Sequence, residues 1–219
     1  MLKSGVEITI PGHVKKIGVG AFSECGLKKV TIENGVTVID GGAFSANQLT
    51  SVTIPKSVVK IGSDAFSYNK KLTSVKFAEG KLEYIGDNAF NKCDLRSFSP
   101  PSTVRFMGVC LLEFNDNLES ISIPASMNTV PFTSRDSEFK KLTKLVIARG
   151  VKAIENIIRY PKLKTIELPD TLISINPFTF KGSNIEKLSI PEGTNFIGYV
   201  LIHYRRIVSN LELTTKAVF

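Results

Sequence analysis

A stretch of 21 to 24 residues recurs along this chain, and the recurrence leaves few folds open. The clearest copy runs Leu49-Thr-Ser-Val52-Thr-Ile54-Pro55-Lys-Ser-Val58-Val-Lys-Ile61-Gly62-Ser-Asp-Ala65-Phe66-Ser-Tyr-Asn69. Earlier copies begin at Gly5 and Leu27, and later ones at Leu72, Leu95, Leu118, Leu142, Leu163, Ile185 and Val208. The intervals are 22, 22, 23, 23, 23, 24, 21, 22 and 23, which makes nine full coils and a fragment of a tenth. One such unit cannot bury its own apolar face. Stacking the units creates the core, so a fixed period of this size reads as a solenoid.

The physics of one coil follows from its slots. The Leu-x-x-Val-x-Ile stretch ends in period-two alternation, which suits a short strand with one buried face. Pro11, Pro55, Pro124, Pro169 and Pro191 follow that strand and lack a ladder donor, so they mark its end. The later Val and Ile turn inward on the next side. The Gly after that Ile (Gly18, Gly62, Gly86, Gly108, Gly198) is expected at a tight bend with unusual backbone angles. The Ala-Phe pair then fills the opposite side, where Phe22, Phe44, Phe66 and Phe90 should stack. Parallel strands about 4.8 Å apart give nine coils a span of roughly 40 Å.

Some coils depart from the pattern. Coil five has Pro100-Pro101 at the strand end and Leu111-Leu112 for Ala-Phe. Coil six, residues 118–141, is irregular and loses the Gly-x-x-Ala-Phe signature; Val130 to Phe139 reads as a bulged loop. Coil seven carries Ile154-Glu-Asn-Ile-Ile158, a candidate helical turn, and coil nine has Leu201-Ile202 in the Ala-Phe slot.

These residues resemble the BspA-type class of leucine-rich repeats, whose pattern runs Leu-x-x-Ile-x-Ile-Pro-x-x-Val-x-x-Ile-Gly-x-x-Ala-Phe-x-x-Cys, with Asn in place of the Cys in several copies here. The match spans nearly the whole chain and is closest in coils one to four. The resemblance implies one right-handed leucine-rich-repeat solenoid over 1–219, mostly β and irregular with little helix, and one short parallel strand per repeat. It also implies a surface or secreted location and a role in adhesion to host matrix or cell-surface proteins, as is typical of family members in bacteria and some protist parasites. It carries no catalytic residue.

Composition narrows the alternatives. With 42% hydrophobic residues there is material for a continuous core, and disorder is not expected. The net charge of +8 invites an anionic partner, but the basic residues form only scattered pairs such as Lys15-Lys16 and Arg205-Arg206, so nucleic acid is not expected. No apolar stretch approaches the roughly 18–20 residues of a membrane helix, and Met1–Val6 has no signal-peptide core. The repeats already run at Val6 and still run near Phe219 without polar caps, so a longer parent chain is expected.

Candidate chemistry is sparse. Cys25 and Cys93 share a slot that Asn47, Asn69 and Asn115 fill elsewhere. A small polar group there can bond backbone in the adjacent coil. Three coils, about 14 Å, exceed the disulfide limit, so these and Cys110 are expected as free structural thiols. His13 and His203 lie far apart in the repeat order, the carboxylates are scattered, and Gly18-x-Gly20 lacks a nucleotide-site context. No catalytic residue, metal or cofactor is expected.

The better candidate is the strand face. The two slots flanking each strand's buried Val hold Lys29/Thr31, Ser51/Thr53, Ser74/Lys76, Ser97/Ser99, Ser120/Ser122, Lys144/Val146, Thr165/Glu167 and Lys187/Ser189. Such repeat faces commonly bind proteins, although Ser and Thr also suit any solvated strand. The row lacks aromatic anchors, which points to weak or multivalent contact. The expectation is a protein-binding module of a surface or secreted adhesion-type protein. The alternatives are a cytoplasmic scaffold or inhibitor, favoured by free thiols, and a non-catalytic targeting region of a larger enzyme.

Overall fold

The computed structural model describes residues 5–127, 139–154, 162–176, 179, 185 and 187–198. It divides into two compact units, Met1–Asn115 and Asp116–Phe219, both parallel β-solenoid in character and without helix among the described residues. The expected loop around Val130, the candidate turn after Ile154, and His203 and Leu201-Ile202 fall outside the described residues, apart from Phe139, which is buried.

In the first unit the expected strands form at Val6–Ile10, Leu27–Ile32, Ser51–Ile54, Ser74–Phe77 and Ser97–Phe98. Three of the proline-marked strands stop as the proline rule requires, at Ile10, Ile54 and Ile123. Pro100-Pro101 cuts the coil-five strand to two residues. Pairing is parallel and keeps each slot against the same slot one coil away: Val30 lies opposite Ile8, and Val75 opposite Val52.

Each coil adds a second, two-residue strand where the chain turns inward again. Lys16–Ile17, Val38–Ile39, Lys60–Ile61, Tyr84–Ile85 and Phe106–Met107 make one five-stranded parallel ladder. Its inward column of Ile17, Ile39, Ile61, Ile85 and Met107 is buried throughout.

The Ala-Phe side stacks as the repeat predicts. Phe22, Phe44, Phe66 and Phe90 lie nearly parallel at centroid separations of 5.5, 5.4 and 5.4 Å. Offset stacking of this kind contributes about 0.5–1.5 kcal/mol per pair beyond area burial. The backbone under the rings is laddered, with Phe22 N–H donating to Ala43 O, Phe44 N–H to Ala65 O and Phe66 N–H to Ala89 O.

The Asn/Cys slot behaves as a hydrogen-bond hub. Asn69 Oδ1 accepts the Leu49 N–H at 3.2 Å, and its Nδ2 donates to Phe44 O and Phe66 O, both at 2.9 Å. Asn47 and Asn115 repeat the arrangement toward Leu27 and Leu95. Cys93 manages only part of it, its thiol donating to Phe66 O at 3.3 Å, and the Leu72 N–H turns instead to Asn69 O. All three cysteines are free.

The glycine expectation needs correction. Gly62, Gly86 and Gly108 do not occupy the left-handed region; they are needed because coils touch there. A Cβ on Gly62 would lie 2.5 Å from Gly41 N, and on Gly86 2.5 Å from Ser63 N. Gly18 meets nothing within 4 Å. The left-handed residues come two places later, at Gly20, Gly42, Asp64, Asn88 and Cys110, and again at Glu24, Ala46, Tyr68, Lys92 and Phe114.

In the second unit Ser120–Ile123 pairs with Lys144–Ile147, and Thr165–Ile166 with Lys187–Leu188. A second ladder joins Ala153–Ile154, Ser174–Ile175 and Phe196–Ile197.

Candidate functional site

Alternation along each strand decides what faces water. In Leu27–Ile32 the pattern buries Leu27, Val30 and Ile32 and exposes Lys28, Lys29 and Thr31. In Ser51–Ile54 it buries Val52 and Ile54 and exposes Ser51 and Thr53. Lys76 and Ser97 are exposed in the same way, and Ser74 is half-buried. Within the first unit, register brings Ser51 beside Ser74 and Thr53 beside Lys76. Lys29 stands beside Glu7 and forms an exposed ion pair with it at 3.4 Å.

In the second unit Lys144 is exposed beside Ser120, and Val146 beside Ser122 is an exposed apolar exception. Thr165 and Lys187 are in register with one another; their side chains lie outside the described residues. Within each unit the backbone of the row is held by strand pairing, while most of its described side chains reach solvent. Hydroxyls one slot earlier brace it, Thr73 Oγ1 donating to Thr50 O at 3.3 Å and Thr143 Oγ1 to Glu119 O at 3.4 Å.

Sequence reasoning missed an aromatic edge on the first unit. The outward column of its second ladder reads Lys16, Val38, Lys60, Tyr84, Phe106. Tyr84 and Phe106 stack at 4.6 Å, and Lys60 Nζ lies 5.1 Å from the Tyr84 ring centre. At the other end of the column Lys16 pairs with Asp40 at 2.7 Å. The Lys16 ammonium and then the Gly41 N–H hold the Asp40 carboxyl below its ordinary range.

A second cluster sits on the left-handed turn, where Lys92 Nζ is 2.6 Å from Tyr68 Oη, 4.3 Å from that ring's centre and 5.3 Å from the Phe114 ring centre. Phe106 is 44% exposed and Phe114 56%, so both side chains are accessible to a partner. Aligning the repeats slot by slot exposes both columns: Tyr84 and Phe106 precede the inward Ile or Met, and Tyr68, Lys92 and Phe114 come two residues after the Phe slot.

Two of the thiols, Cys93 and Cys110, are poor nucleophiles. Burial pushes Cys93 up to about 12, and burial followed by Glu113 raises Cys110. His13 is exposed. Among the described residues no group of three or more His, Cys, Asp or Glu side chains could hold a metal ion, and no helix is long and apolar enough to cross a membrane.

A family model described as BspA type leucine rich repeat region, in 6 copies, matches residues 3–113, 51–158 and 132–216. No curated protein matches the chain. Two solved structures share the fold. One is the pneumococcal vaccine antigen PcpA, at 22% identity and a TM-score of 0.53, covering 90% of this chain and 59% of that one. The other is a leucine-rich repeat protein from Eubacterium ventriosum ATCC 27560, at 20% identity and a TM-score of 0.53, covering 90% of this chain and 63% of that one. The chain thus spans under two thirds of each.

Proposed function

Because the chain belongs to the BspA-type leucine-rich repeat family, we propose that it is a non-catalytic, protein-binding repeat module of a surface or secreted adhesion-type protein. The observation that carries this reading is the exposed strand face. Its backbone is fixed by pairing with the next coil, while Lys29, Thr31, Ser51, Thr53, Lys76, Ser97 and Lys144 stand in solvent. Within each unit, such a backbone-paired array of short hydroxyls and spaced cations can take many small contacts at little entropic cost. Such contacts are individually weak and gain through repetition over several coils. The surface location and the host-matrix or cell-surface partner rest on the family resemblance and on likeness to a vaccine antigen. A cytoplasmic scaffold and a targeting region of a larger enzyme are the competing readings.

The test is a binding screen of the purified chain against matrix and cell-surface proteins, at low and at physiological salt. Binding that survives physiological salt and is lost when Lys29, Lys76 and Lys144 are changed to Glu supports the strand face. Binding that vanishes with salt reflects only the +8 charge and rejects the proposal.

A second reading has its own observation. Aromatic side chains dominate tight interfaces, and in the first unit the exposed ones are Phe106 on the aromatic edge and Tyr68 and Phe114 on the left-handed turn. If Phe106→Ser with Phe114→Ser abolishes a salt-resistant contact that the three Lys→Glu changes leave intact, these two aromatic clusters and not the strand face are the site.

A further inference from the structure

Asn34–Gly35 is the one Asn–Gly pair in the chain. Its chemistry is predisposed to an intramolecular reaction, because glycine offers an unhindered backbone nitrogen next to a side-chain amide. The Gly35 nitrogen loses its proton to a solvent base and attacks Asn34 Cγ. The new N–C bond closes a five-membered imide. The Cγ–Nδ2 bond breaks, and the nitrogen leaves as ammonia with a proton from solvent. Water then opens either imide carbonyl, leaving aspartate or its β-linked isomer at position 34. No electron changes hands, and water is the sole co-reactant.

Half of the site is ready. Asn34 is exposed, and its side chain makes no hydrogen bond to the described residues. The other half is occupied. The Gly35 N–H donates to Ser57 Oγ at 2.7 Å, and the Ser57 hydroxyl donates onward to Val36 O at 2.6 Å. Ser57 belongs to the next coil. The previous coil closes the other side, since a Cβ on Gly35 would lie 2.1 Å from Gly12 O. The nitrogen therefore cannot swing toward Asn34 Cγ or shed its proton without breaking the Ser57 contact.

The same brace recurs in the second unit, where Gly150 N–H donates to Thr171 Oγ1 at 2.8 Å and Thr171 donates to Val151 O at 3.0 Å. There the preceding residue is Arg149, which has no amide to lose. The hydroxyl brace is thus a feature of the coil, and only in coil two does it cover a reactive pair.

We propose that Asn34–Gly35 is a deamidation site kept closed by the neighbouring coil, with Ser57 as the latch. Opening it places a carboxylate at the corner, and the β-linked product adds a carbon to the backbone against Gly12 O.

The test incubates the full chain in mildly alkaline buffer and follows position 34 by mass spectrometry of proteolytic fragments, with the urea-unfolded chain as the unprotected reference. Folded wild type should react far more slowly than the unfolded chain. Ser57→Ala should speed the folded-state reaction about tenfold, the equivalent of one lost hydrogen bond. Ser57→Thr should stay slow, as Thr171 performs the same task. Thr171→Ala controls for general loosening and should leave position 34 unchanged. Equal folded and unfolded rates, or a folded Ser57→Ala variant no faster than wild type, overturn the proposal. If Ser57→Ala does not fold, hydrogen exchange of the wild-type Gly35 amide decides: protection supports the latch, and exchange at the unprotected rate rejects it.

Discussion

On the Ala-Phe side of the first unit, Phe44, Phe66 and Phe90 are fully buried, and the polar side chains among them, Asn47, Asn69 and Asn115, have their amides satisfied by backbone. On the strand face of the same coils, Thr31, Ser51 and Thr53 stand in solvent, and the ion pair seen there, Lys29 with Glu7, is exposed at both ends. Both columns repeat at the same period. Repetition on the first side is a packing requirement, because each ring and each amide completes the coil next to it. On the second side it is the by-product of alternation, and chemistry there is free to vary. The slots that pack the fold and the slots that face solvent are thus different slots of one repeat.

The largest expected break comes from Phe66→Ala, which removes the ring between Phe44 and Phe90. It should cost about 3–5 kcal/mol, whereas Thr53→Ala in the same coil should stay within about 0.5 kcal/mol; urea unfolding of both variants makes the comparison.

Next is the hub. Asn69→Ala orphans the Leu49 N–H and takes a donor from two carbonyls, for an expected loss of about 2–3 kcal/mol. Cys93→Ala, in the same slot with a weak thiol donor on Phe66 O, should lose about 1 kcal/mol. Equal losses would mean that the amide network is not what sets the two apart.

Gly62→Ala should cost about 1–3 kcal/mol by forcing a Cβ into Gly41. Gly18→Ala, with open space around it, should be within about 0.5 kcal/mol.

A smaller effect follows pH. With its ordinary value of 9.0 raised to about 12, Cys93 keeps its proton longer in the folded chain than in the unfolded one. Its contribution is fully present below pH 9, and stability falls as pH climbs from 9 toward 12. Cys93→Ser should flatten that decline in denaturation curves, and in the native chain Cys93 should resist thiol labelling at neutral pH.

The smallest change is expected from Lys29→Glu, Lys76→Glu and Lys144→Glu, each within about 0.5 kcal/mol in stability although they are the changes meant to abolish binding. A large loss of stability would erase the division between the two sides.

What could be read in advance follows the same division. The Phe column, the proline stops and the Asn/Cys slot were legible because each recurs with one or two residue types serving one purpose. The glycines after Ile61 and Ile85 were recognised as special for the wrong cause: sequence shows that a Cβ is unwelcome, not whether φ or a neighbouring coil forbids it. The left-handed positions Glu24, Ala46, Tyr68, Lys92 and Phe114 stand out only when the repeats are aligned slot by slot, because no residue type recurs there. Their backbone is imposed by bonds from coil to coil, such as Ala46 N–H to Ser67 O and Tyr68 N–H to Asn91 O. The aromatic edge was hidden for the converse reason, since Tyr84 and Phe106 follow Lys16, Val38 and Lys60 in a column that does not repeat. The strand-face slots were legible as positions, and what they bind is not written in their periodicity.

Among the described residues, side-chain bonds between coils reach 19 to 27 residues, one repeat and no further. This has a mechanical consequence. Force applied along either unit's chain would meet no bond that ties distant coils together, so coils would peel singly from an end. Each coil of about 22 residues would release about 75 Å of extended chain, giving a train of evenly spaced, modest force peaks in place of one large rupture. Built this way, a unit lengthens under load and dissipates a pull in small steps before its last coil is lost.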